Sequence, residues 1–233
     1  MTDASATTAA TTPAPLRVLV LGASGGLGSA IAAEYRSRGA QVVGAGRDAA
    51  RLQAAVGDAH VVGDLRDPAA VEAAVSTAAA RMGGIDHIVN AAGVVAFGAV
   101  DELDVDVIEE LFLINTMMPM LLAKAALGHL ERGGVLVNIS GLVAEQGFPG
   151  MAAYAGSKAA LMRFDEGLAR EARRSGIRVI DARPPHTETG LAGRAVAGVA
   201  PRFPEGLTAA RVAKVIVDGA LGDAKDLPSS AFG

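Results

Sequence analysis

From Leu16 to Leu221 the chain alternates short β-branched runs with longer alanine-rich stretches, and that alternation leaves few folds open. A repeated strand-then-helix order is met by a parallel sheet with helices on both faces, because each parallel crossover needs a helix to bring the chain back. Candidate strands fall at 17–21 (RVLVL), 41–46 (QVVGAG), 59–63 (AHVVG), 85–90 (IDHIVN), 134–140 (GVLVNIS) and 177–182 (IRVIDA). Helices are expected between them, at 27–38, 49–56, 68–82, 102–130, 151–174 and 208–221. The strands are continuously apolar rather than alternating, as strands covered on both faces are. Pro68 follows Asp67, a first-turn proline behind a capping carboxylate. The expected fold class is α/β, one doubly wound parallel sheet.

Composition narrows the function. At 233 residues with 51% hydrophobic residues, the chain is long enough for one well-buried core, and residues 16–233 are expected to form a single domain. Residues 1–15, MTDASATTAATTPAP, have neither the basic start nor the apolar core of a signal peptide and are expected to be a disordered leader. No apolar run approaches the ~18 residues that span a bilayer. A net charge of −4 with interspersed signs offers no basic stripe, which argues against nucleic acid and membrane and for a small-molecule partner. The absence of cysteine removes disulfides, thiolate nucleophiles and zinc–thiolate sites, and fits a cytoplasmic location.

The stretch LGASGGLG ends the first strand and opens the first helix. Glycines there permit positive φ and let backbone N–H groups approach a pyrophosphate at a helix N-terminus. Gly22, Ser24, Gly25, Gly26, Leu27 and Gly28 are thus candidate nucleotide-binding residues in a Rossmann-type fold. The second strand ends in Gly46-Arg47, with a guanidinium where an acidic residue would bind the 2′-hydroxyl of NAD. A guanidinium pairs with a 2′-phosphate, so NADP is favoured over NAD. Asp64 and Leu65 follow the third strand, with Asp64 placed to accept from an adenine amino group, and Asn90, Ala91 and Gly93 of NAAG end the fourth. Each could merely terminate its strand, but together they mark one sheet edge.

Tyr154 and Lys158 are i and i+4, on one helical face, and an ammonium beside a phenol favours phenolate. Tyr154 is therefore a candidate general acid/base. Asn115 lies four residues before Pro119, which has no N–H to return to the Asn115 carbonyl, so a water could take that place. A proline kink against a neighbouring subunit would account for the same residues.

With GASGGLG, NAAG, Asn115, YAGSK and RPPHTET on one chain, residues 17–221 resemble a single-domain short-chain dehydrogenase/reductase. The resemblance implies that Tyr154 donates or accepts the proton, that Lys158 lowers its pKa and holds the nicotinamide ribose, that Asn115 supports a relay water, and that a serine binds the substrate oxygen. It also implies roles for Pro184, Thr187 and Thr189 against the nicotinamide end. The serine position, thirteen residues before Tyr154, is Gly141, and the neighbouring Ser140 points to the other face of an extended strand end. Three accounts stand open: Ser140 swings inward beside Gly141; His186, Thr187 or Glu145 supplies the donor; or the protein binds NADP without efficient turnover.

Residues 184–206, rich in Pro and Gly, read as a lid over a ligand site. Val94, Val95, Phe97, Phe148, Met151, Leu191 and Phe203 are candidates for an apolar substrate pocket. The C-terminal DGALGDAKDLPSSAFG offers only a short, weak strand, so pairing through helices 102–130 and 151–174 into a homodimer is expected. The function implied is an NADP-dependent oxidoreductase interconverting a small carbonyl and alcohol, with no metal; the rival is an NADP-binding regulatory or scaffold protein with weak or no turnover.

Overall fold

The computed structural model describes residues 14–233. The expected leader, 1–15, lies outside the described residues apart from Ala14 and Pro15. Six parallel strands form one sheet: β1 (Arg17–Leu21), β2 (Gln41–Gly46), β3 (His60–Val62), β4 (Ile85–Asn90), β5 (Leu130–Ile139) and β6 (Arg178–Ala182). Their order is β3-β2-β1-β4-β5-β6. The chain reverses direction across the sheet between β1 and β4, where a crevice opens beyond the strand ends.

Alternate strand residues supply the two faces. Val18 and Val20 pack under α1 (Gly26–Ser37), α2 (Ala49–Val56) and α7 (Ala209–Leu221), against Ile31, Leu52 and Ile216. Leu19 and Leu21 pack under α3 (Pro68–Met82), α5 (Met118–Ala126) and α6 (Ala152–Ala172), against Val75, Leu122 and Leu168. Asp67 caps α3 by accepting from the Ala69 N–H, with Pro68 in the first turn, as the sequence predicts.

The single helix expected over 102–130 is not continuous. It is α4 (Val105–Phe112), a π-helical turn (Leu113–Met117) and then α5, and β5 already begins at Leu130. Pro119 explains the break: it has no N–H for the Asn115 carbonyl, and the Met118 N–H bonds to Leu113, five residues back.

The lid stretch is partly ordered by pairing. Within it β7 (Thr187–Glu188) pairs with β8 (Leu207–Thr208), and a bridge joins Ala96 to Ala197. At its C-terminus the chain contributes a single bridge, Leu227 to Ala182, followed by a 3-10 turn (Ser229–Phe232) whose Phe232 is buried in the core.

Candidate active site

The crevice is built around close backbone approaches. Gly22 has φ +74°, and a side chain there would strike the backbone of Ala91 and Ala92 at the end of β4. Gly28 leaves no room for a Cβ against the Gly22 carbonyl. These two positions require glycine because the first turn of α1 lies directly on the strand ends. Gly26 faces the lid: a Cβ would lie 2.6 Å from the Thr189 carbonyl oxygen.

The α1 helix starts behind Gly25 with no side-chain cap and no acidic residue in its first turn. Its leading N–H groups therefore keep an affinity for an anion. Ser24 Oγ lies beside Gly46, 3.0 Å from where a Cβ would stand, and Leu27 packs on the core below. Glycine cradle, uncapped N-terminus and open strand ends together fit a dinucleotide pyrophosphate.

Arg47 is exposed at the end of β2 and enters no ion pair among the described residues. Asp64 is exposed nearby; hydrogen bonds from Arg66, 3.1 Å to its side chain, hold its carboxyl below the usual range, with a smaller contribution from Arg47. Leu65 is partly buried on the core. The side chain of Asn90 is engaged inside the fold, donating to Asn138 Oδ1 (3.0 Å) and accepting from the Ala92 N–H (3.2 Å). Ala91 donates its N–H to the Leu21 carbonyl and lies against the core.

Gly93 brings the other half of the site together. A Cβ there would lie 3.3 Å from both Lys158 Nζ and Asn115 Oδ1. Asn115 is fully buried and grips the loop after β4 on two sides: Oδ1 accepts from the Val94 N–H (3.0 Å), and Nδ2 donates to the Val94 carbonyl (2.9 Å). Nδ2 also approaches Ser157 Oγ (3.1 Å), which in turn donates to the Tyr154 carbonyl (2.7 Å). The π-turn thus ties NAAG to the start of α6.

Lys158 donates to the Ile139 carbonyl (2.7 Å), and burial brings it down to about 8, opposed by Asp181 and Asp165. Burial pushes the Tyr154 phenol up to about 12. Burial is the cause of that rise, and the Lys158 ammonium bonds to a backbone carbonyl. Tyr154 sits in an apolar pocket with Val95, Phe97, Met151, Val143, Leu191 and Phe203. Two expected pocket residues, Val94 and Phe148, are outside this cluster, and Phe148 is exposed.

Gly141 has φ +89° and ψ 165°, a region essentially confined to glycine. There is room for a Cβ, the nearest atom being the Pro184 carbonyl oxygen at 3.7 Å, so conformation rather than crowding excludes a side chain. Ser140 is buried at 1% exposure and its Oγ has no hydrogen bond of regular geometry, although it lies close enough to Asp181 to favour that carboxylate. Of the loop candidates for a donor, Thr187 Oγ1 donates to the Pro185 carbonyl (2.8 Å). His186 stacks on Phe203 with Nε2 3.2 Å from Glu188. Thr189 Oγ1 accepts from the Leu191 N–H (3.3 Å). Glu145 is excluded as a donor: bonds from Ser229 and Arg183 overcome its burial and keep it ionised.

One feature escaped sequence reasoning. Asn90, Asn138 and Asp165 form a buried amide–carboxyl chain across the sheet, with Asn138 Nδ2 2.7 Å from Asp165. Burial, then the neighbouring Asp181, pushes Asp165 up to about 8. The available signal was Asp165 at i+7 from Lys158, on the apolar stripe with Leu161 and Leu168.

The model of the family described as short chain dehydrogenase matches residues 17–199. An uncharacterized oxidoreductase of Methylorubrum extorquens is 34% identical over 191 residues, covering 78% of this chain and 76% of that protein. One of Thermotoga maritima, also an uncharacterized oxidoreductase, is 32% identical over 193 residues, covering 79% and 77%. Among solved structures, a short chain dehydrogenase from Burkholderia cenocepacia in complex with NADP superposes with a TM-score of 0.81 at 30% identity, over 94% of this chain and 98% of that one.

Proposed function

The chain belongs to the short-chain dehydrogenase family, and from that premise we propose that it is an NADP(H)-dependent oxidoreductase interconverting a small carbonyl and an alcohol, with Tyr154 as general acid/base. The observation that carries this reading is the meeting of Lys158, Asn115 and Gly93 at the start of the helix that bears Tyr154. When bound, NADPH supplies the hydride. Gly22, Ser24, Gly25, Gly26, Leu27 and Gly28 would cradle its pyrophosphate, Arg47 would pair with its 2′-phosphate, and Asp64, Leu65, Ala91, Pro184, Thr187 and Thr189 would flank it. The neighbour solved with NADP supports this choice over NAD.

In reduction the Tyr154 O–H gives its proton to the developing alkoxide. The buried Lys158 ammonium offsets the phenolate charge left behind, an effect enlarged where water is excluded. The apolar wall of Val95, Phe97, Met151 and Phe203 favours a carbonyl compound with an apolar body. Val105, Phe112, Met117 and Met120 are exposed along α4, the π-turn and α5, which supports a homodimer through that face. No described helix is long and apolar enough to cross a membrane; we place the protein in the cytoplasm.

Gly141 favours a second reading, an NADP-binding protein with weak turnover, because it supplies no hydroxyl to the substrate oxygen. NADPH oxidation against a panel of ketones and aldehydes separates the two, with Tyr154→Phe as control. Turnover that the phenylalanine variant loses is expected; equal background rates in both proteins would sink the oxidoreductase reading.

A further inference from the structure

We propose that Arg183 is a positioning residue: by binding Glu145 and Asp226 together it ties the turn after Gly141 to the C-terminal segment, and so holds one wall of the Tyr154 site. Its effect on turnover rests on the oxidoreductase reading above.

Arg183 is 7% exposed, and its guanidinium reaches three carboxylates. Nε donates to Glu145 Oε1 (2.6 Å), one terminal nitrogen donates to Asp181 (2.7 Å) and Asp226 (2.9 Å), and the other also donates to Asp226. Glu145 is held from the far side as well, accepting from the Ser229 N–H (3.1 Å) and the Ser229 hydroxyl (2.5 Å). The backbone alone joins the C-terminal segment to the sheet by two bonds, Arg183 N–H to the Leu227 carbonyl and Leu227 N–H to the Asp181 carbonyl. Neither reaches the Gly141 turn. That link is made by side chains.

Glu145 closes a short turn whose bonds run from the Ala144 N–H to the Gly141 carbonyl and from the Glu145 N–H to the Leu142 carbonyl. The Leu142 N–H donates to the carbonyl of Pro184, next to Arg183. Gly141 is therefore bracketed by Pro184 on one side and Glu145 on the other, and Val143, within the turn, packs in the apolar cluster with Tyr154. Without Arg183, Glu145, Asp181 and Asp226 would lose the one cation that bonds all three, with Lys158 left acting on Asp181 at longer range, and mutual repulsion would release the turn. The alternative, a staple that stabilises the fold and nothing more, predicts lost stability with an unaltered site.

The test compares the full-length protein with Arg183→Met, Arg183→Lys and Glu145→Gln, reading amide hydrogen exchange beside NADPH-dependent ketone reduction. Exchange at Leu142, Ala144 and Glu145 is expected to quicken about tenfold or more in Arg183→Met and Glu145→Gln while β1 amides keep wild-type protection, with Arg183→Lys intermediate. KM for the ketone is expected to rise with NADPH affinity unchanged, and adding Glu145→Gln to Arg183→Met is expected to add little. Unchanged exchange in the turn overturns the proposal, and so does faster exchange with wild-type KM and kcat. Should the wild-type protein reduce no carbonyl while the turn still loosens in the variants, the tie stands and the oxidoreductase reading falls.

Discussion

Gly93 and Lys158 face each other so closely that a methyl group on Gly93 would stand 3.3 Å from the lysine Nζ. That spacing is tight, and the same methyl would meet Asn115 Oδ1 at 3.3 Å. Gly93→Ala is therefore expected to push the lysine head aside and weaken NADPH binding by about 1.5–3 kcal/mol, the scale of one charge-assisted hydrogen bond. Calorimetric titration checks it. Wild-type affinity would mean that Lys158 does not touch the nucleotide.

Gly141 carries a conformational rather than a steric constraint. Gly141→Ser and Gly141→Ala are both expected to cost about 1–3 kcal/mol of stability, because φ +89° with ψ 165° is strained for any side chain. Supplying a hydroxyl there is accordingly not expected to raise the rate of ketone reduction. Denaturant titration of the two variants gives the cost, and wild-type midpoints with faster hydride transfer in the serine variant would show that the turn readily adopts another conformation.

Arg47 stands exposed at the end of β2. If it pairs with the 2′-phosphate, Arg47→Ala should weaken NADPH binding by ~1.5–3 kcal/mol and leave NADH nearly unchanged. Equal losses for both nucleotides in parallel titrations would assign it a structural role instead.

Asp165 offers a test by pH. Burial raises its folded pKa to about 8, so between its unfolded value near 3.8 and that value the folded state holds the extra proton. Stability from this group is full at low pH and is lost as pH rises through 8. Asp165→Asn keeps an acceptor for Asn138 and removes the titration. Its stability relative to wild type is thus expected to grow by up to about 1.4 kcal/mol per pH unit from pH 4 to pH 8. Parallel unfolding curves at four pH values measure the difference, from which groups not coupled to Asp165, such as His87, lowered by burial to about 4, cancel, while Asp181 and Lys158 share in it. A flat difference would mean that Asp165 is ionised throughout.

The order of strands and helices was legible in the chain because each element states its identity locally: apolar β-branched runs, Asp67-Pro68 at a helix start, glycines at the β1–α1 turn. The pairing of Tyr154 with Lys158 on one face and the glycine at 141 were legible for the same reason, since helical spacing and residue identity are one-dimensional. Tertiary structure decided what happens between distant residues. Pro119 could be read as a lost donor, but that the helix answers with a π-turn, aiming Asn115 at Val94 and Ser157, depends on what packs around it. The phenol of Tyr154 rises because the assembled pocket removes water, which helical spacing alone does not show. The Arg183 junction joins residues 38 and 43 positions away, and its Glu145 meets Ser229 across 84. Such contacts leave no periodic trace, because burial and the pairing of buried charges are properties of the packed chain and not of any stretch of it.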